Sequence, residues 1–264
     1  MGKHCEVYRH KRGSILRLFI ATLTLIALCA PLANADEIRV LSGGAAKALV
    51  EPLLQSFKAA TGHLALVEFQ PMGPLTERLA KGEAIDMVIL TSDVLERLER
   101  EGKLPKGIGR PIARVGVGVA VNENAPLPDI STAEAFKRTV LAAKSLVYID
   151  PTIGTSGKHV ATVLEKLGIA EQMKAKTTLL KGGYVVEPVG RGEIELGIHQ
   201  ISEIMPVKGI RLVGPLPEEL QKYTVYVAVP VPGTPHGAAV AAFISHLTGP
   251  AAGARLTAAG YSAP

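Results

Sequence analysis

Hydrophobic positions along the chain follow two alternating periods from residue 38 onwards. Short, mostly apolar runs at residues 38–41, 64–69 and 87–90 have the length and composition of β-strands, and the uninterrupted run at residues 87–90 predicts a buried one. Between the runs, apolar residues recur every three or four positions, most clearly at residues 46–57, as they do on one face of an amphipathic helix. Strands that alternate with helices of this length predict an α/β protein with mainly parallel sheets.

The same alternation continues to the C-terminus. Pro52 interrupts the first predicted helix and should kink it, because proline removes a backbone donor. Helices are predicted to end where glycines follow the apolar pattern, at Gly62, Gly82, Gly102 and Gly168. Further strands are predicted at residues 115–121, 146–149, 196–198, 211–213 and 223–229.

Three loops are candidates for a ligand site, because each follows a predicted strand. Parallel sheets bind ligands at the carboxyl ends of their strands, where loops and helix N-termini converge. The three loops are Ser42-Gly43-Gly44, residues 70–74 and residues 150–157.

Two of these loops allow both a functional and a structural interpretation. Gly43 and Gly44 let backbone N–H groups approach an anion, and they equally suit a tight turn. Ser156 and Gly157 offer similar donors at the start of a predicted helix, where Ser156 is also a suitable N-cap.

The histidines lack the spacing of a metal site. No two of those after residue 35 share a helical face beside a carboxylate, so no metal ion and no cofactor are predicted. His199 differs in context, because it follows a predicted buried strand and precedes Gln200 at the carboxyl edge of the sheet. A packed and hydrogen-bonded histidine is the alternative interpretation.

The first 35 residues have the composition of a secretory signal peptide. A basic segment precedes an uncharged run at residues 18–28, and Ala33-Asn34-Ala35 supplies small residues for cleavage. The uncharged run is shorter than the ~20 apolar residues that a membrane span needs. We therefore expect a periplasmic protein that begins at Asp36 and has no stable membrane insertion.

Removal of this leader changes the charge and the cysteine content. The full chain has 29 basic and 24 acidic residues, of which the leader holds five basic residues and one acidic residue. The remaining chain therefore has 24 basic and 23 acidic residues and a net charge of +1. Such a chain lacks the strongly basic face of a protein that binds nucleic acid or an anionic membrane. Cys5 and Cys29 are both lost, which excludes disulfides, thiol nucleophiles and cysteine-bound metals.

Four segments, in their order and spacing, indicate a family. They are residues 38–62, 75–86, 191–200 and the loop that contains Asp150, Pro151 and Gly157. Together they resemble the periplasmic solute-binding proteins of ABC importers, in the branch that contains the molybdate-binding proteins.

The resemblance implies a type II fold with two α/β lobes and a ligand cleft between them. Two chain crossings are expected, near residues 113–117 and 224–228. The first lobe would contain residues 36–115 and 224–264, and the second lobe would contain residues 116–223.

The resemblance also implies which positions meet the ligand. In molybdate-binding proteins, serine hydroxyls and a tyrosine donate to the anion, and each missing buried donor costs about 1–3 kcal/mol. Ser156 and Gly182 match positions that still offer backbone N–H groups. The positions in register with the hydroxyl donors carry none of those hydroxyls: they are Ala45, Met72, Gly73 and Gln200. A carboxylate is therefore expected to bind better than molybdate or tungstate.

Several short motifs narrow the resemblance. They are Ser42-Gly43-Gly44, Met72-Gly73 and residues 128–131, 135–139, 187–189, 200–203 and 213–217. These motifs resemble a subgroup of the same proteins that includes periplasmic aconitate isomerase. The loop at residues 150–157 is longer than the serine-rich loop of that subgroup.

Three functions follow as hypotheses. The first is a monomeric binding protein that closes on a small anion, favouring an organic di- or tricarboxylate, and delivers it to an ABC permease. The second is cofactor-free isomerisation of aconitate, with His199 or His159 as the base and with Lys47, Lys158 and Arg191 holding carboxylates. The third is a scavenging or signalling receptor without its own transporter. Binding of molybdate or tungstate stays an alternative for the ligand.

Overall fold

Two sheets of five strands each form the framework of the protein. A computed structural model describes residues 35–264, so the predicted leader, apart from Ala35, lies outside the described residues. In chain order the strands are β1 Glu37–Gly43, β2 Leu64–Gln70, β3 Met87–Thr91, β4 Arg110–Val115, β5 Val117–Asn122, β6 Leu146–Ile149, β7 Thr177–Leu180, β8 Leu196–Gln200, β9 Ile210–Pro215 and β10 Thr224–Pro230.

Both sheets are mixed, and in each of them four strands run in one direction and one runs in the opposite direction, so the prediction of mainly parallel sheets is confirmed. The order is β2-β1-β3-β10-β4 in the first sheet and β7-β6-β8-β5-β9 in the second. In the first, β1 is parallel to β2 and β3, whereas β10 is antiparallel to β3 and β4. In the second, β6 is parallel to β7 and β8, whereas β5 is antiparallel to β8 and β9. β5 and β10 are the first strands that the chain forms after each crossing. Each therefore points away from the sheet that the chain has just left, and it is antiparallel to its neighbours.

Helices separate most of the parallel strands, which confirms the α/β class. The first predicted helix is divided by the 3₁₀ segment Glu51–Leu53 around Pro52, as the missing N–H of proline predicts. Positive φ at Gly62, Gly82, Gly102 and Gly168 marks the predicted helix ends. The α-helices are α1 Lys47–Val50, α2 Leu54–Thr61, α3 Met72–Ala80, α4 Ser92–Arg100, α5 Ala133–Ala142, α6 Thr155–Lys166, α7 Ala170–Lys174, α8 Glu187–Gly190, α9 Ile201–Ile204, α10 Gly237–Leu247 and α11 Pro250–Gly253.

The chain passes between the two sheets twice. Gly116 alone separates β4 from β5, and it lies inside the crossing expected at residues 113–117. The return runs through residues 216–223, ahead of the expected residues 224–228. That segment belongs to β10, which pairs with β3 and β4 of the first sheet.

Each sheet is covered by a hydrophobic core of its own. In the first lobe, the rings of Phe57 and Phe243 are fully buried with centroids 4.7 Å apart. In the second, Phe136 and Leu146 are fully buried. Within the described residues, none of the helices combines the length and the hydrophobicity required to cross a bilayer.

Asp86 precedes β3 and joins β1 to the loop after β10, and its replacement by alanine is expected to lower the free energy of unfolding by about 1–3 kcal/mol. Its carboxylate accepts hydrogen bonds from the backbone N–H of Arg39 at 2.7 Å and from the hydroxyl of Thr234 at 2.6 Å, and it is only 8% exposed. Urea unfolding measures the loss. The exposed Glu123→Ala is the control and should change stability by less than about 0.5 kcal/mol; equal effects of the two changes would refute the assigned role.

Candidate ligand-binding site

A cavity of about 460 Å³ lies between the two sheets. The carboxyl ends of the parallel strands face it, so the loops that follow them form its wall. All three loops singled out in the sequence contribute, through Gly44, residues 70–72 and residues 154–156. A fourth loop, residues 180–185, adds the predicted Gly182.

Hydrogen bonds join the two lobes beside the cavity. The backbone N–H of Gly73 donates to the carbonyl oxygen of Ile153 at 3.2 Å. The hydroxyl of Ser202 donates to the carbonyl oxygen of Ala45 at 2.9 Å. The structure therefore shows the cleft closed.

Many of the residues predicted from the sequence lie in this wall. Backbone and small side chains come from loops of both lobes, and charged or polar side chains come from α1, from β8 and from the end of α8. The predicted residues that line the cavity are Gly44, Ala45, Lys47, Met72, Ser156, Gly182, Arg191, His199 and Gln200.

Ser42 and Gly43 lie behind the wall. Ser42 is fully buried, and its hydroxyl donates to the carbonyl oxygen of Gly43 at 3.2 Å. A Cβ on Gly43 would lie 2.5 Å from Cε of Met72 and 2.8 Å from Cε1 of Tyr226. Both residues therefore pack behind the residues that line the cavity, and their predicted ligand contacts stay predictions.

Gly73 and Gly157 are structural as well. The N–H of Gly73 is used by the bond to Ile153. A Cβ on Gly157 would lie 1.9 Å from the carbonyl oxygen of Ile149, so only glycine lets α6 approach β6 this closely. Neither residue lines the cavity, and both allow close packing of the backbone beside it, so their predicted contacts with the ligand stay predictions.

His159 and Lys158 lie outside the cavity, in a separate groove. The Nε2–H of His159 donates to the carbonyl oxygen of Leu220 at 2.7 Å. Burial lowers the pKa of His159, which favours the neutral ring. The structure therefore does not support His159 as a base or Lys158 as a carboxylate holder in this site.

His199 lies in β8 and is 1% exposed. Its Nδ1 is 2.9 Å from Oγ of Ser156, which is 3% exposed. Ser156 does not act as the N-cap considered from the sequence, because α6 begins at Thr155 and its N-cap position is Gly154. The Ser156 hydroxyl instead fixes the imidazole ring.

Glu203 was not among the residues predicted from the sequence. Its Oε2 lies 3.1 Å from Nε2 of His199, and its side chain is 13% exposed. The approach lacks the alignment of a hydrogen bond, so Nε2 has no hydrogen-bond partner among the described residues. Ser156, His199 and Glu203 thus form a continuous array, which we call the Ser-His-Glu array, from the core to the cavity.

Unpaired polar atoms are concentrated in this wall. In the described part of the chain, the buried side-chain atoms without a hydrogen-bond partner are Nε2 of Gln70, Nε2 of His199 and Oε1 of Gln200, and all three residues line the cavity. Nε2 of Gln200 lies 3.1 Å from Oγ1 of Thr224. Because that hydroxyl can donate or accept, Gln200 can turn its amide and present a donor instead.

Both signs of charge line the cavity. Lys47 contributes an ammonium group 5.7 Å from the ring centroid of Tyr184, with Glu51 at 3.8 Å. Arg191 contributes a guanidinium whose Nε is 2.7 Å from the carboxylate of Glu193. These cations come from opposite lobes, so they can hold an anion from two sides.

Two tyrosines missed by the sequence analysis complete the wall, Tyr184 and Tyr226. Burial raises the pKa of Tyr226 well above its usual range, and the nearby carboxylate of Glu203 adds to the effect. Burial likewise raises the pKa of Tyr184. Both phenols therefore stay neutral near pH 7.

The described residues contain no group of three or more histidine, cysteine or acidic side chains that could hold a metal ion. His199 and Glu203 supply two possible ligands. The other polar groups beside them are amides, hydroxyls and cations, which suit an anion better than a metal.

A sequence model of the bacterial extracellular solute-binding proteins matches residues 38–262. The chain belongs to this family. Aconitate isomerase from a Pseudomonas species is 30% identical over 237 residues, which cover 86% of this chain and 89% of that protein.

Solved structures of such binding proteins show the same fold. The periplasmic molybdate-binding protein of Azotobacter vinelandii gives a TM-score of 0.72 at 20% identity, covering 86% of this chain and 99% of that chain. The sulfate-binding protein of Mycobacterium tuberculosis gives 0.67 at 18% identity, covering 86% and 87%. The predicted type II fold with two lobes is confirmed.

Proposed function

We propose that the protein captures a small organic di- or tricarboxylate between its lobes. The observation that carries the proposal is the concentration of unpaired polar groups in one wall, at Gln70, His199 and Gln200. Lys47 and Arg191 add positive charge to the same wall. Each carboxylate of a compact ligand offers acceptor oxygens to the side-chain amides of Gln70 and Gln200 and to these cations. The cavity volume lies in the range of small-molecule sites.

The same wall favours a carboxylate over molybdate or tungstate. By the resemblance, Ala45 and Met72 occupy the positions of hydroxyl donors in molybdate-binding proteins; both line the cavity, and their side chains cannot donate. Phe69 and Met72 instead offer apolar surface to a carbon skeleton. A tetrahedral oxyanion would leave this surface unused and would lack several of its donors.

Saturation with cis-aconitate or citrate is expected to raise the melting temperature by about 5–10 °C. A ligand at 100 times its Kd stabilises the folded protein by about 2.7 kcal/mol, and each kcal/mol shifts Tm by about 2–4 °C at this chain length. Thermal scans at matched pH and ionic strength compare these ligands with molybdate, tungstate and sulfate, for which we expect no shift. A shift with the metal oxyanions and none with any carboxylate contradicts the proposal.

The proposed setting is the periplasm, where a monomer would deliver its ligand to an ABC permease. Family membership and the leader composition support this setting. Residues 36–115 with 224–264 would move as one lobe and residues 116–223 as the other, so that closure presents the captured ligand to the permease.

A second function, isomerisation of aconitate, is favoured by the Ser-His-Glu array. A wall that only binds an anion gains nothing from the Glu203 carboxylate, because like charges repel. A carboxylate beside an imidazole is instead what a proton transfer requires. The similarity to an aconitate isomerase also supports this function.

Purified protein without added cofactor should convert cis-aconitate into trans-aconitate, as followed by chromatography. If no conversion occurs, ligand capture is the only one of the two proposed functions that remains.

A further inference from the structure

We propose that Glu203 is the residue that takes up and returns the proton in this cavity, and that His199 and Ser156 position it. The proposal rests on the isomerase function above. It gives the catalytic role to a residue that was not predicted from the sequence. His199, the predicted base, becomes a residue that positions Glu203 and does not touch the ligand.

Glu203 is more accessible from the cavity than His199 is. The side chain of His199 is 1% exposed and that of Glu203 is 13% exposed. Nε2 of His199 is buried, and the nearest ionisable group is the Glu203 carboxylate at 3.1 Å. A ligand in the cavity therefore meets the carboxylate of Glu203 before the imidazole ring.

The backbone also places Glu203 at the ligand loops. A Cβ on Gly44 would lie 3.0 Å from Oε1 of Glu203, so the missing side chain leaves space for the carboxylate. Oε1 thus lies beside the loop after β1, while Oε2 lies beside His199. The other titratable side chains that line the cavity are Lys47, Tyr184, Glu187, Arg191 and Tyr226.

Ser156 allows the imidazole to change its protonation state. Its hydroxyl can donate to Nδ1 of His199 or accept from it by rotation of one bond. Once the Glu203 carboxylate rotates into line with Nε2, His199 can accept a proton from it, or return one, while the contact with Ser156 persists. The array can hold the proton between its removal from the ligand and its return.

The chemistry of aconitate needs such a group. In the first step, a Glu203 oxygen takes a proton from the methylene carbon, and the C–H electron pair spreads over the adjacent double bond and carboxylate. In the second step, the double bond has moved and a proton returns to the carbon that was formerly vinylic. One C–H bond breaks and one forms, so no oxidant, reductant or cofactor takes part.

Glu203→Gln tests the assignment, because it keeps the size of the side chain and removes the base. We expect kcat for cis-aconitate to fall by about 100- to 10,000-fold. Calorimetry should show that cis-aconitate still binds, with a Kd within about tenfold of the parent. Acetate or formate should restore part of the activity of Glu203→Ala, which a purely structural role would not allow.

Two further variants separate the residues. His199→Gln should lower kcat less than Glu203→Gln does and should change the pH dependence of kcat, because Glu203 remains as the base. Glu171→Gln is the same change on α7 outside the cavity and should leave kcat within about twofold.

The outcomes are distinct. Full activity in Glu203→Gln, or activity that is lost only in His199→Gln, would overturn the role of Glu203 and leave the isomerase function standing. A parent protein that binds cis-aconitate without converting it would overturn the role of Glu203 and the isomerase function but leave capture. A parent protein that neither binds nor converts it would remove capture as well.

Discussion

Replacing Gly157 by alanine is expected to lower the melting temperature by about 2–12 °C. The added Cβ would lie 1.9 Å from the carbonyl oxygen of Ile149, a backbone atom that cannot rotate away. Overpacking of this kind costs about 1–3 kcal/mol and occasionally more, and each kcal/mol corresponds to about 2–4 °C. The start of α6 must then move away from β6. Differential scanning calorimetry of the two proteins measures the effect.

Gly253→Ala is the matched control, because its added Cβ meets nothing within 4 Å at the end of α11. We expect this variant to be as stable as the parent or slightly more so, since alanine is favoured over glycine in a helix. If Gly157→Ala were as stable as Gly253→Ala, then the close approach of α6 to β6 would be wrong.

Lys47→Met is expected to weaken the binding of cis-aconitate by about 10- to 100-fold. Lys47 belongs to the cavity wall, and its side chain is only 36% exposed. A hydrogen bond to a charged partner contributes about 1.5–3 kcal/mol, and 1.4 kcal/mol is a factor of ten in Kd. Methionine keeps most of the apolar stem, so the loss reports the charge. Isothermal calorimetry measures the change in Kd.

Lys58→Met makes the same change on the exposed side of α2, outside the cavity wall. It should leave the Kd for cis-aconitate within about twofold of the parent. Because the two variants have the same net charge, a loss shared equally by both would come from the long-range field of the protein. It would contradict a direct contact between Lys47 and the ligand.

Local signals predicted the framework well. The apolar runs at residues 38–41 and 87–90 lie within β1 and β3, and Pro52 divides the first helix where its missing N–H requires. These features depend on neighbours within a few positions of the chain. Strand direction depends on which sheet a strand enters, so the antiparallel pairing of β10 was not visible.

The strand β7 was not predicted from the sequence, because it lies at the edge of its sheet. The strand β7, Thr177–Leu180, lies at the edge of the second sheet, and Thr178 and Leu179 are exposed. Its pattern therefore lacks the mostly apolar run that indicated the central strands. The sequence analysis assigned no element between the helix that ends at Gly168 and the strand predicted at residues 196–198.

The site was predicted in outline but not in its chemistry. Strand ends located Gly44, Ser156 and His199 because loops at one edge of a sheet must converge. The role of Glu203 depends on the turn from β8 into α9, which returns its carboxylate to within 3.1 Å of Nε2 of His199. The spacing of four residues between the two was visible, but a strand followed by a helix does not fix their distance.

Hydrogen bonds of Gln221 join the two chain crossings between the lobes. The side-chain amide of Gln221 accepts from the N–H of Val117 at 2.9 Å and donates to its carbonyl oxygen at 2.8 Å, as a neighbouring strand would. A Cβ on Gly116 would lie 3.2 Å from Nε2 of Gln221. Opening of the cleft would therefore rotate about a joint that shares no residue with the cavity wall. The rate at which a ligand enters and leaves can thus be tuned by evolution separately from the affinity with which it is held.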